Sequence, residues 1–249
     1  VTPEPTVTPE PTVTPEPTAT PEPTATPEPT ATPEPTETPQ DKVLVLTFDD
    51  GPTQYTPQLL EYLKEMNIKV TFFVLDYKVK ANPDYVKQAY LDGHEICIHS
   101  YSHASFTQIG PDKTKEEIIK TRQRLLDLGI IPINAVRPPY GHLDNEIKEA
   151  IKSIGNIDGI DSEKISIIMW GSDSRDWENK DPEIMTSIVL KEVNKIGNGC
   201  IILFHDTTQT TIDGVKKTIP ALLEQGYTFA TLTEASKNYN VELEDGKVY

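Results

Sequence analysis

The chain has 249 residues, a quarter of them charged, and an acidic excess that sets the formal net charge at -16 at neutral pH. That balance argues against a nucleic-acid backbone or an anionic membrane surface as partner, because both reward basic patches. No run approaches the ~20 apolar residues of a membrane-spanning helix, so a neutral partner is expected and a membrane span is not.

The first 40 residues differ from the rest. Thr-Pro-Glu-Pro recurs every six residues, starting at Thr2, Thr8, Thr14, Thr20, Thr26 and Thr32. Alternate prolines fix φ and remove amide donors, which predicts an extended polyproline II spacer rising roughly 3.1 Å per residue. Val1, Val7 and Val13 are its only large apolar side chains, too few to build a core. The period is too short for a solenoid and has neither collagen glycines nor heptad hydrophobes. Residues 1–40 are therefore expected to be a disordered Thr/Pro/Glu-rich linker, and residues 41–249 a single folded domain. The glutamates at 4, 10, 16, 22, 28, 34 and 37 account for -7 of the charge, leaving about -9 on the remainder. Because Val1 begins in mid-repeat, a signal peptide or further modules are expected N-terminal to the linker in the parent chain. The linker itself points to a secreted or cell-surface protein.

The remaining stretch of about 209 residues suits one single-core domain rather than two. Val43 to Phe48 predicts a buried strand and Pro57 to Met66 a helix. Val70 to Leu75 predicts the next strand, Pro83 to Leu91 a helix ended by Gly93, Glu95 to His99 a strand, and Lys115 to Leu128 a helix ended by Gly129. Ala135 to Arg137 reads as a short strand and Asp144 to Ile154 as a helix capped by Asp144. Ser166 to Trp170 follows as a strand, and Pro182 to Ile196 as a helix capped by Asp181 with proline at its first position. Cys200 to Phe204, a helix from Val215 to Gln225 and a strand from Tyr227 to Leu232 close the series. About seven strands, most followed by a helix, suit a parallel barrel or a doubly wound sheet. Cys97 and Cys200, the only cysteines, sit in apolar strand-like runs and are expected as buried free thiols rather than a disulfide.

Five short signatures fall at or just past strand ends: Thr47-Phe48-Asp49-Asp50-Gly51, His99-Ser100-Tyr101-Ser102-His103, Arg137-Pro138-Pro139-Tyr140, Asp173-Ser174-Arg175-Asp176-Trp177 and Leu203-Phe204-His205. In parallel α/β folds the carboxyl ends of the strands gather on one face, so these segments should converge into one pocket. Asp50, His99 and His103 form a two-imidazole, one-carboxylate set that leaves a coordination position open on zinc, the arrangement of catalytic sites. A water bound there, acidified to a pKa near ~7, becomes a nucleophile at neutral pH. Adjacent aspartates also suit Mg²⁺, a calcium loop or a plain turn, though the histidines argue against hard cations. The same triad holds Fe(II) in oxygenases, but such a site needs no further aspartate and histidine for proton transfer. His94 and His142 lie in loop-like settings and read as solvated or capping groups, and Trp170 reads as strand packing. Asp176 and Asp206 are candidate acceptors for loop amides or for the histidines of the site.

Taken together and in this order, the signatures over residues 42–233 resemble the polysaccharide deacetylases of carbohydrate esterase family 4, the NodB-homology domain. The resemblance implies a distorted (β/α)₇ barrel and a divalent metal, Zn²⁺ in the first place with Co²⁺ or Ni²⁺ as alternatives. It implies that Asp50, His99 and His103 are the metal ligands and that Asp49 is the base that activates the nucleophilic water. Arg137 would pair with Asp49, the Tyr140 amide would help bind the oxyanion, and His205, tuned by Asp173, would protonate the leaving group. Trp177 and Leu203 would wall the acetyl pocket. An arginine beside Asp49 should hold its pKa down, and a carboxylate beside His205 should raise that of the imidazole. The implied activity is hydrolytic deacetylation of a polysaccharide, and a monomer is the default oligomeric state. Acetylated xylan is favoured because Thr/Pro-rich spacers join modules of plant-cell-wall enzymes. Chitin oligosaccharides, peptidoglycan and a non-catalytic carbohydrate-binding role are the alternatives.

Overall fold

A computed structural model describes residues 42–154 and 165–238, so the expected linker at 1–40 lies outside the described residues. The strands are β1 (Lys42–Gly51), β2 (Thr71–Leu75), β3 (Glu95–Ser100), β4 (Ala135–Val136), β5 (Ser166–Ile167), β6 (Ser172–Asp173), β7 (Ile201–His205) and β8 (Tyr227–Ala230). The helices are α1 (Thr56–Glu65), α2 (Asp76–Ala81), α3 (Pro83–Leu91), α4 (Phe106–Ile109), α5 (Pro111–Asp127), α6 (Asn145–Ile154), α7 (Pro182–Ile196), α8 (Gln209–Glu224) and α9 (Leu232–Asn238).

Every strand pairing is parallel, in the order β5-β4-β3-β2-β1-β7-β6, while β8 pairs with the first four residues of β1. The sheet curls into a distorted (β/α) barrel whose two terminal strands, β5 and β6, are only a few residues apart in sequence. Alternation along the strands sorts the side chains into two sets. Leu44, Leu46 and Phe48 of β1, Phe72 and Val74 of β2, Ile96 and Ile98 of β3 and Ile202 and Phe204 of β7 face the helices and form the larger apolar core. The opposite set encloses a smaller cluster of Val43, Val45, Phe73, Cys97, Ala135 and Ile168. Toward the carboxyl ends of the strands that inner set turns polar, through Thr47, Asp49, His99 and Arg137, all buried. These polar groups thus grow out of the barrel interior.

Two predicted caps are present. The Asp144 carboxylate accepts the Ile147 amide at 2.9 Å, and Asp181 accepts the Glu183 amide at 2.8 Å. Other boundaries moved, for identifiable reasons. α8 begins six residues before the predicted Val215, because Thr208 caps it and Ile212, Gly214 and Val215 are buried. Threonine and glycine are weak helix formers, so packing outweighs propensity there. A Cβ on Gly214 would lie 2.8 Å from Met185 Sδ, so glycine lets α8 approach α7 closely. The single strand predicted at 166–170 stops after Ile167 because the carbonyls of Ile168 and Met169 accept from the Arg137 guanidinium, at 3.1 and 2.9 Å. The chain then rejoins the sheet as β6 against β7, so Arg137 bonds the segment that bridges the two terminal strands. Cys97 and Cys200 are buried free thiols. Among the described residues no helix is long and apolar enough to cross a membrane.

Candidate active site

A cleft of about 410 Å³ opens at the carboxyl ends of the strands, lined by residues from all five signatures, among them Asp50, His103, Tyr140, Trp177 and His205. Strict alternation would send the neighbours Asp49 and Asp50 to opposite faces of β1. A bulge prevents this: Asp49 pairs with Phe73 and Gly51 with Val74, so Asp50 has no partner of its own and takes a left-handed φ of 68°. Both carboxylates then reach the cleft. His103 and Tyr140 also have positive φ, 65° and 62°, so three of the five such non-glycine residues among those described belong to this site.

Asp50 Oδ1 lies 3.4 Å from His99 Nε2 and 3.2 Å from His103 Nε2, and one ligand atom from each of the three residues lies within 4.8 Å of the others. Two tetrahedral ligands on zinc sit about 3.3 Å apart, so these separations suit a shared cation. Asp50 Oδ1 is buried without a hydrogen-bond donor, the condition of an oxygen awaiting a cation. His99 Nδ1 donates to the Arg137 carbonyl at 2.7 Å, which leaves the Nε2 lone pair free. Burial, offset in part by Asp50, lowers the His99 pKa to about 3, so the ring is neutral, as a ligand requires. The donor set therefore fits a divalent ion.

Asp49, 2 % exposed, accepts from Arg137 Nη1 at 2.7 Å. The same nitrogen reaches Thr47 Oγ1 at 2.8 Å, and the guanidinium lies 4.1 Å from the Phe73 ring centroid. Arg137 lowers the Asp49 pKa as expected, but burial raises it more, so the net direction is upward. That corrects the sequence expectation. The physical reason is that the arginine is itself part of the dehydrated barrel interior, where both charges have lost their water.

Register places His205 beside Asp49 on the adjacent strand. Its Nδ1 donates to Asp176 Oδ1 at 2.7 Å, while Asp176 Oδ2 accepts the His205 amide at 2.7 Å and the Thr211 hydroxyl at 3.0 Å. Burial lowers the His205 pKa, but the hydrogen bond and charge of Asp176, helped by Asp49 and Asp50, outweigh it and push the value up to about 9. The imidazolium is thus the stable form at neutral pH, with Nε2 free to give up its proton.

The sequence profile described as Polysaccharide deacetylase matches residues 36–156. Over 198 residues, 78 % of this chain and 88 % of the relative, the chain is 30 % identical to a peptidoglycan-N-acetylglucosamine deacetylase of Bacillus cereus. The chain belongs to the polysaccharide deacetylase family. Another relative, the peptidoglycan-N-acetylglucosamine deacetylase PgdA of Listeria monocytogenes, is 35 % identical over 84 % of this chain, which spans only 41 % of that protein's length. Among solved structures, a family 4 acetyl xylan esterase of Clostridium thermocellum with a cobalt ion matches with a TM-score of 0.72 and 27 % identity, covering 84 % of this chain and 98 % of that one.

Within this member of the polysaccharide deacetylase family the fold brings all ten sequence-predicted residues to the cleft or its floor, with one change of role. The carboxylate on His205 is Asp176, not Asp173. Asp173 lines the cleft, but its Oδ1 accepts the Arg175 amide at 2.8 Å and so closes the turn after β6. Asp176, three residues on, is carried round that turn beneath the end of β7, where it is 1 % exposed. Burial and an N–H partner could not be told apart from the spacing of two aspartates. Trp170, expected to be strand packing, instead lines the cleft. His94, expected as a solvated or capping group, is not solvated: it is 3 % exposed, with Nδ1 accepting the Val70 amide at 3.2 Å, and burial lowers its pKa to about 4. His142 is exposed as expected and meets Ser105 Oγ at 3.0 Å. Tyr140 and Trp177, each 59 % exposed, stand at the mouth.

Proposed function

We propose that this domain is a metal-dependent hydrolase that removes acetyl groups from a polysaccharide. The observation that carries the reading is the separation of roles within one cleft: an unpartnered Asp50 oxygen facing two imidazoles, beside an arginine-held Asp49 and a cationic His205. Asp50, His99 and His103 would hold the cation, most suitably Zn²⁺, Co²⁺ or Ni²⁺, and when bound it would acidify water and polarise the acetyl carbonyl. Asp49 takes the proton of the attacking water, and Arg137 fixes its carboxylate in place. A backbone amide at Tyr140 would supply an oxyanion donor, worth ~3 to 4 kcal/mol in comparable sites. His205 gives its proton to the departing oxygen or nitrogen, and Asp176 keeps that proton on the ring. Trp177, Trp170 and Leu203 wall the acetyl group, and the exposed rings of Tyr140 and Trp177 offer a face to sugars.

The sequence-based choice of acetylated xylan rests on the linker and accords with the acetyl xylan esterase among the structural neighbours. N-deacetylation of an N-acetylglucosamine polymer is the second reading. It is favoured by the names of the Listeria and Bacillus relatives and by the basicity of His205, because an amine departs only once protonated whereas an alkoxide demands less. Secretion and a monomeric state complete the proposal. Acetate released from acetylated xylan, chitooligosaccharides and peptidoglycan under matched conditions, with and without chelator, tests it. Release from none of them, or release that survives chelation, overturns the metal-dependent deacetylase. Release from xylan alone or from the amides alone selects between the two substrates.

The pairing of His205 with Asp176 makes a pH prediction. The acid must be protonated, so activity is present below the imidazole pKa and is lost as pH rises through it. Asp176→Asn removes the charge that raises that pKa while burial, which lowers it, remains. A bound cation lowers the value in both proteins, so the expected result is a displacement: the alkaline limb of the kcat profile should move down by at least about one pH unit in the variant. A limb that stays in place would show that Asp176 does not tune the acid.

A further inference from the structure

Asp206 follows the acid His205, yet nothing in the chemistry above uses it. It is 0 % exposed, and its Oδ1 has no hydrogen-bond partner. Its other carboxylate oxygen accepts the Thr56 hydroxyl, and its backbone carbonyl accepts the Thr53 hydroxyl. The Thr53 amide in turn donates to Thr56 Oγ1 at 2.7 Å, so the segment leading from Gly51 into α1 is fastened to Asp206 at both threonines. Gly51 packs directly on the same carboxyl. A Cβ added there would lie 2.6 Å from Asp206 Oδ1 and 2.8 Å from Oδ2, closer than real Cβ contacts allow, and 3.0 Å from Cγ. Gly51 is not among the glycines with positive φ, so steric exclusion by Asp206, rather than backbone conformation, keeps a side chain away from this position. The residue just before Gly51 is the bulged Asp50, and a bulge re-aims a side chain only if something holds it.

We propose that Asp206 is a positioning residue for Asp50: its buried carboxyl, packed under Gly51 and fastened to Thr56, holds the bulge that aims the Asp50 carboxylate at His99 and His103. The proposal rests on the reading of Asp50, His99 and His103 as cation ligands. It also accounts for the glycine at the end of the first signature as a steric partner of Asp206.

Chelator-stripped protein titrated with Co²⁺ alone, followed by visible absorption and calorimetry with circular dichroism as the folding control, tests this. Groups that orient metal ligands cost ~10- to 100-fold in affinity when lost, so Asp206→Ala should weaken cobalt binding by about that factor. Asp206→Asn, which keeps the shape and the acceptor for Thr56, should stay within about threefold of wild type. Gly51→Ala should weaken binding by about 100-fold, and Gly51→Ala/Asp206→Ala should bind at least about tenfold tighter than Gly51→Ala, because the second change opens the space the new methyl needs. A purely structural residue would not rescue its neighbour in this way. If Gly51→Ala does not fold, Asp206→Ala and Asp206→Asn decide, and equal affinities for the two overturn the proposal. Wild-type binding with no rescue in the double variant overturns the role of Asp206 alone. A wild-type chain that takes up no cobalt overturns the cation reading and this role together.

Discussion

Asp49→Asn should abolish most turnover while leaving the cation in place. The substitution keeps an acceptor for Arg137 but removes the base, and loss of a positioned proton acceptor costs ~10²- to 10⁴-fold in kcat. Cobalt affinity should stay within about threefold, because Asp49 lies outside the set that closes on Asp50 Oδ1, its nearest carboxylate oxygen being 3.9 Å from His99 Nε2. Asp50→Asn is the matched control. It should lose affinity and activity together, since the one oxygen that faces both imidazoles is no longer anionic. Acetate release and cobalt titration on both variants check the pair. Equal loss of metal in the two would mean that Asp49 is a ligand rather than the base.

Arg137→Met should be the most destabilising single change in the site. The guanidinium is fully buried, serves Asp49, Thr47 and the carbonyls of Ile168 and Met169, and lies on the Phe73 ring. Removing one member of a buried ion pair strands the other, at a cost of ~3 to 5 kcal/mol. For a domain of this size that is a fall in Tm of roughly 6 to 20 °C. Part of the cost comes from the stranded carboxylate, so adding Asp49→Asn to Arg137→Met should restore at least about 1 kcal/mol. Thermal unfolding of the two singles and the double measures the coupling. Additive effects would mean that Arg137 acts only on the carbonyls between β5 and β6.

Much of this was legible in the linear chain, for a reason that differs by feature. β1, β2, β3 and β7 are buried on both faces, so they read as continuous apolar runs, and α7 announces itself with an aspartate cap and a proline at its first position. The cluster of Asp50, His99 and His103 could be found because imidazole and carboxylate at strand ends are chemically specific. The short elements were harder. β5 and β6 have two residues each, too few to show a period, and α2, α4 and α9 are held by what they pack against rather than by their own composition.

What the sequence determined by itself is the family, the alternation of strand and helix, and the residue types needed for a cation and two proton transfers. Tertiary structure alone decided which aspartate serves His205, because Asp173 and Asp176 have the same chemistry and differ only in where the turn after β6 carries them. It also decided that Asp49 and Asp50 share the cleft, since the bulge against β2 overrides the alternation that would have separated them. The balance on Asp49 belongs there as well. The pull of an arginine can be read from a motif, but the opposing push of burial depends on how much water the closed barrel has removed, and that is a property of the packed chain.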